Sequence, residues 1–144
     1  MVKIYKICPA SAWREAERQG VYLGSADVMT QPLIYHMCRA AEWQAAVARG
    51  AYPGSSQDVA DGFIHFSTAA QVPETLRKHY FGQRALFLVE VDGDALGSEL
   101  RWERSRNEEL FPHLYGELDL GAVIAVMNLN IRSDGGHDVP ELAP

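Results

Sequence analysis

Residues 34–43 read "IYHMCRAAEW", and they decide how this 144-residue chain is understood. Ile34 and Tyr35 favour an extended backbone, while the alanines that follow favour a helix, so the stretch reads as a short β-strand running directly into a helix. Residues 4–13 have already said nearly the same thing, "IYKICPASAW". Between residues 4–25 and 34–55, at a constant offset of 30, Ile, Tyr, Cys, Ala, Trp, Ala, Gly, Tyr, Gly and Ser all recur. That is the pattern of a duplicated strand–helix unit. In the second copy Trp43 and Val47 fall four apart on one helix face, and Gly50 stands where a left-handed residue closes a helix, as Gly20 does in the first. Lys6 of the first copy becomes His36 in the second.

Two copies are too few for a solenoid, whose repeats need about three neighbours to share a core. Only the second copy runs on into "DGFIHFST" (residues 61–68), where Asp61-Gly62 turns the chain into a strand over residues 63–67. The first breaks off at "ADVMTQP", with Pro32 as the boundary. A helix is expected in "AAQVPETLRKHYF", since Pro73 near a first turn removes an N–H that has no partner there, and Leu76, His79 and Tyr80 follow at helical spacing. "ALFLVEVD" (residues 85–92) is an apolar run suited to the middle of a sheet. "SELRWER" extends as a strand, "SRNEELFPHLYG" reads as a loop around Pro112, and "GAVIAVMNLNI" reads as a last buried strand. Residues 133–144 lack apolar periodicity and are expected to be disordered. Strands outnumber helices and no glycine-rich phosphate loop follows any strand, so the class is α+β rather than a doubly wound nucleotide fold.

Apolar residues at 47% and charged residues at 22% suit a globular chain with one core. The formal net charge of −6 argues against nucleic acid and anionic membrane as partners. The N-terminus lacks the apolar stretch of a secretory signal and no window matches a membrane span, so a cytoplasmic location is expected. Cys8 and Cys38 hold equivalent places in the two copies and read as reduced, buried strand residues.

Three places could carry chemistry. His36 and His65 lie within strands, and alternation puts His65 on one face with Phe63 and Ser67. "RWERSRNEELFPHLYG" gathers Arg101, Glu103, Glu108, His113 and Tyr115 into one polar stretch. Zinc held by His36, His65 and His113 would activate water, but no pair has the close spacing of a metal motif, and no metal is expected. Ser67 lacks a nucleophile elbow, and nothing cationic stands near Cys38 in sequence to lower the pKa of its thiol.

The segment "IYHMCRAAEWQAAVARGAYPGSSQDVADGFIHFSTAAQV", followed by "LFLVEVD", "LRWE" and "LFPHLYGELDLGAVIAV", resembles the small bacterial proteins grouped as domain of unknown function 952. "GFIHFS" and "FPHLYG" are its most specific phrases, and the resemblance covers about residues 33–131. It implies an α+β fold related to ADP-ribosyltransferases, with a mixed or antiparallel sheet and two or three helices. Residues 1–32 are then an extra strand–helix copy and residues 132–144 a tail.

The same resemblance implies that His36 contacts a ribose hydroxyl of NAD and that His65 and Ser67 face the nicotinamide ribose. Glu103 or Glu108 would orient the nucleophile, His113 and Tyr115 would cap the nicotinamide, and Arg101 would pair with the diphosphate. The expected function is an NAD- or nucleotide-processing enzyme, with NAD as substrate rather than a covalently held cofactor. Two other readings stand beside it: a nucleotide-binding module without catalysis, and an interaction domain that docks its N-terminal repeat on a second chain. RNA phosphate, a protein side chain, a small molecule and water all stay open as acceptors.

Overall fold

The computed structural model describes residues 33–144 and, by backbone alone, residues 3–5. The helix expected in the first repeat, and Cys8 and Lys6, lie outside the described residues. Strands β1 (Lys3–Tyr5), β2 (Leu33–Arg39), β4 (Leu86–Asp92) and β7 (Val123–Ile131) form an antiparallel sheet in the order β1-β7-β4-β2, and β8 (His137–Asp138) adds to the end of β7. A second antiparallel sheet has the order β3-β6-β5, from Ile64–His65, Leu110–Leu114 and Leu100–Arg104. The result is α+β, two curled antiparallel sheets with few helices.

The apolar run of β4 is central, between β2 and β7, and Leu88, Val89 and Val91 are fully buried. Both faces of β2 are covered as well. Ile34 and Cys38 join one apolar cluster with Trp43 and Leu114, while Tyr35 and Met37 join another with Val72 and Leu76. The large sheet is therefore packed on one side by the small sheet and helix α1 (Ala40–Arg49), and on the other by helix α3 (Val72–His79).

Helix α1 closes as expected, with Gly50 at φ 96° donating its N–H to Ala46 and Val47. Its buried face differs from expectation: Trp43 and Ala46 point inward, and Val47 is half exposed. Pro73 does sit in the first turn of α3. A short helix α2 (Ser56–Asp61) went unforeseen. Ser55 caps it reciprocally, its hydroxyl accepting from Asp58 N–H and its own N–H donating to the Asp58 carboxylate.

Two further expectations are corrected. The stretch read as a loop, residues 105–116, holds the turn and the second strand of the β5–β6 hairpin, with β6 in the middle of the small sheet despite Pro112, while the strand expected in "SELRWER" is β5. Pro112 is tolerated because its carbonyl accepts from Phe66 N–H, so its missing N–H faces a strand that is already leaving β6. That strand then bridges the two sheets, Tyr35 and Ser67 exchanging both backbone hydrogen bonds at 2.8 Å. The tail is ordered rather than disordered. Residues 137–138 pair with β7, Val139 and Leu142 pack on the second cluster, and Tyr35 donates its hydroxyl to Ala143 O at 2.6 Å. Its apolar residues are too sparse to show a period, yet they land on one apolar surface.

Candidate functional site

The turn after α1 and helix α2 bring Tyr52, Ser55 and Asp58 beside β3 and β2. Asp58 is buried, with a relative exposure of 3%. One carboxylate oxygen accepts from Ser55 N–H at 2.8 Å; the other accepts from His65 N–H at 3.2 Å and from His65 Nδ1 at 2.6 Å. Burial opposes its charge more than any other influence. The His65 ring hydrogen bond and the electrostatic influence of His36, with the Ser55 and His65 N–H donors, outweigh burial and hold its carboxyl below the usual carboxylate range. Gly54, at φ 104°, makes room, since a Cβ there would lie 2.7 Å from the Asp58 Cβ.

His36 lies beneath this group. Its Nδ1 is 2.7 Å from the His65 carbonyl, which can only accept, so Nδ1 carries the hydrogen. Its Nε2 then accepts from the Tyr52 hydroxyl at 2.6 Å. Burial pushes the His36 pKa down, against the nearby Asp58 charge, which keeps the ring neutral. Burial likewise pushes the Tyr52 hydroxyl up strongly and the Cys38 thiol up to about 12. Among the described residues Cys38 has no disulfide partner, and it is buried, as its strand position leads one to expect.

A cleft of about 610 Å³ opens above, between α1, α2, α3 and the β5–β6 hairpin. His65 and His113 line it, along with Ser67, Asp58 and Asp61. The His65 side chain is 42% exposed, with Nε2 only 3.2 Å from the Asp61 carboxylate. His113 is buried and gives Nδ1 to Glu103 at 2.7 Å. Tyr115 donates to the same Glu103 oxygen at 2.8 Å, and Arg101 stacks over the Tyr115 ring at 4.8 Å. The His113 and Tyr115 hydrogen bonds keep the Glu103 carboxyl below its ordinary value, and the same bond raises the Tyr115 hydroxyl.

The structure thus brings His65, Ser67 and His113 to one cleft, and Glu103, Arg101 and Tyr115 beside them on the small sheet. It separates two others. His36 does not line the cleft, and both of its ring nitrogens are engaged within the protein. Glu108 is at the exposed hairpin tip, 3.8 Å from Arg104. Among the described residues, no three His, Cys, Asp or Glu side chains are placed to share a metal ion. Asp58, Tyr52 and Asp61 were not singled out from sequence, although the Ser55-to-Asp58 spacing of a capping box was there to be read.

Two curled antiparallel sheets with a histidine-bearing cleft define the class. The chain belongs to the family described as Protein of unknown function (DUF952), whose model matches residues 37–126. It is similar to protein CC0527 from Caulobacter crescentus. The crystal structure of that protein is 43% identical with a TM-score of 0.71, covering 74% of this chain and 93% of that one. Its solution NMR structure is 44% identical with a TM-score of 0.65, covering 72% and 90%. No curated protein matches. Among the described residues no helix is long and apolar enough to cross a membrane.

Proposed function

We propose that the cleft binds and processes a ribosyl-bearing small molecule of the NAD or ADP-ribose kind, with the Asp58–His65 pair as its proton-transfer group. The observation that carries this reading is the half-exposed His65 ring, fixed through Nδ1 by a buried carboxylate at the mouth of a cleft. A ring so held keeps one tautomer and presents Nε2 outward. Hydroxyls of Ser55, Ser56 and Thr75 and the Gln57 amide line the cleft and suit ribose hydroxyls, while Arg39 offers a planar fork to a phosphate. The relationship to ADP-ribosyltransferases implied by the sequence belongs to this reading too.

The roles change with the geometry. His36 becomes a positioning residue that holds the His65 backbone instead of touching ribose. The carboxylates facing the cleft are Glu42, Asp58 and Asp61, and neither Glu103 nor Glu108 is among its lining residues. Those three would meet the positive charge that develops on a ribosyl carbon.

Amide chemical shifts of the full chain, titrated with NAD and with ADP-ribose, test this. Localised shifts over residues 55–58 and 65–67, lost in His65→Gln, are expected. An unchanged spectrum at millimolar ligand would sink the reading. A binding module without catalysis is the second reading, and it draws on the absence of Glu103 and Glu108 from the cleft wall; binding without turnover would select it.

A further inference from the structure

Two imidazoles, not one, share the cleft wall. His65 and His113 stand directly opposite each other across β3 and β6, with ring centroids 5.5 Å apart and planes at 69°. Each is tied through Nδ1 to a carboxylate oxygen, His65 to Asp58 at 2.6 Å and His113 to Glu103 at 2.7 Å. A carboxylate accepts, so both Nδ1 atoms carry hydrogen and both Nε2 atoms are the working ends. Those ends differ. The Nε2 of His65 faces Asp61, 3.2 Å away, which gives an N–H there an acceptor and makes the ring a proton donor. The Nε2 of His113 has no hydrogen-bond partner among the described residues, which leaves its lone pair for an incoming O–H. Phe63 packs beside both rings, 4.6 Å from His65 and 4.2 Å from His113, and limits how they can turn.

Resting on the reading that the cleft takes a ribosyl group, we infer that His113 acts as general base and His65 as general acid in cleaving a ribosyl group joined through oxygen. Nicotinamide leaves with its bonding pair as a neutral ring and needs no proton, so an acid facing a base would have nothing to do on NAD. An alkoxide leaving group does need one. In the step, His113 Nε2 takes a proton from water as the water oxygen bonds to the anomeric carbon. The bond from that carbon to the leaving oxygen breaks, its electron pair stays on oxygen, and that oxygen takes the proton from His65 Nε2. One proton has moved from His65 to His113 by way of substrate and water, and exchange with solvent resets the pair. Glu42 and Asp61 face the positive charge on the ribosyl ring meanwhile.

The test uses the full chain with three probes: the O-methyl and O-(para-nitrophenyl) glycosides of ADP-ribose, and NAD. Both glycosides should be hydrolysed at comparable rates, with NAD bound and left intact. His65→Gln should slow the methyl glycoside about 100-fold or more and the nitrophenyl glycoside less than about 10-fold, because nitrophenolate leaves unprotonated. His113→Gln should slow both by about 100-fold. Cleavage of NAD without either glycoside, or binding of all three with no turnover, overturns the acid–base couple and leaves the ribosyl cleft standing. Failure of all three to bind overturns both. The wild-type ratio of the two glycosides needs no variant: a rate that collapses for the methyl compound alone overturns the assignment of His65 as acid even if the variants fold poorly.

Discussion

His36 in the large sheet and His65 in the small one both lie within strands, and the two sheets treat them in opposite ways. In the large sheet both faces of β2 are covered, and His36 is 2% exposed with both ring nitrogens engaged by protein. In the small sheet β3 is only two residues long and one of its faces opens on the cleft, so His65 keeps a working edge. A histidine's role here follows from whether a second layer covers its face, not from the strand it sits in. The large sheet supplies stability and holds the His65 backbone from below; the small one supplies the groups that meet a ligand.

Core truncation should separate the halves most strongly. Leu88→Ala, at a fully buried position in β4, should cost about 2–5 kcal/mol in urea denaturation. Phe63→Ala, on the small sheet and half-buried, should cost less than about 2 kcal/mol while freeing the rings of His65 and His113. Equal losses at the two positions would break the division between a scaffold sheet and a working sheet.

The hydrogen bond beneath the cleft sharpens it further. Tyr52→Phe removes the donor to His36 Nε2 and leaves a buried acceptor unsatisfied, at a cost of about 1–3 kcal/mol. Ligand affinity should change far less than stability, because neither group lines the cleft. Affinity lost with stability unchanged would place His36 in the ligand site after all.

Acidification should reveal the same histidine. Its folded-state pKa is lowered from 6.5, chiefly by burial, so below pH 6.5 the unfolded chain binds a proton that the folded chain does not. Stability is then fully present above pH 6.5 and falls as the pH drops, with a slope of up to about 1.4 kcal/mol per pH unit. Asp58 and Glu42 face His36 with negative charge and soften the slope, and His65 steepens it. Asp58 behaves in the same direction in a lower window: its carboxyl is depressed below 3.8, so its contribution is lost only as the pH falls beneath that value. Urea midpoints measured from neutrality down to about pH 4 should flatten in His36→Gln. An unchanged slope in the variant would show that other groups carry it.

Much of the scaffold was legible because its signals are local. An apolar run of β4 length, with two valines and a Gly-Asp turn behind it, reads as a covered strand, and Gly50 after Ala-rich residues closes a helix by its own backbone freedom. The misses share a cause. Pro112 argues against a central strand unless one knows that Phe66 is leaving β6 at that point. Val139 and Leu142 mean nothing until the surface they cover exists. His36 and His65 look alike in sequence, and only the placement of the small sheet over β2 tells them apart. Asp58 was hidden for a different reason: its helix is six residues long and presents no apolar stripe, so the capping box at Ser55 announced no element worth following.

The smallest effect concerns the two glutamates of the β5–β6 hairpin, which sequence left as equals. Glu108 has φ 65°, in the left-handed region that costs a side-chain-bearing residue about 1–2 kcal/mol, and its contact with Arg104 is exposed on both sides. Glu108→Gly relieves that strain and gives part of it back through a more flexible unfolded chain, for a net stabilisation of about 0.5 kcal/mol. The ring nitrogen resonances of His113 should not move. Glu103→Gln should move them, since its oxygen accepts from His113 Nδ1 and Tyr115 at once. A His113 shift in the Glu108 variant would mean that the hairpin tip reaches the cleft; its absence leaves Glu103 as the carboxylate that sets the second imidazole.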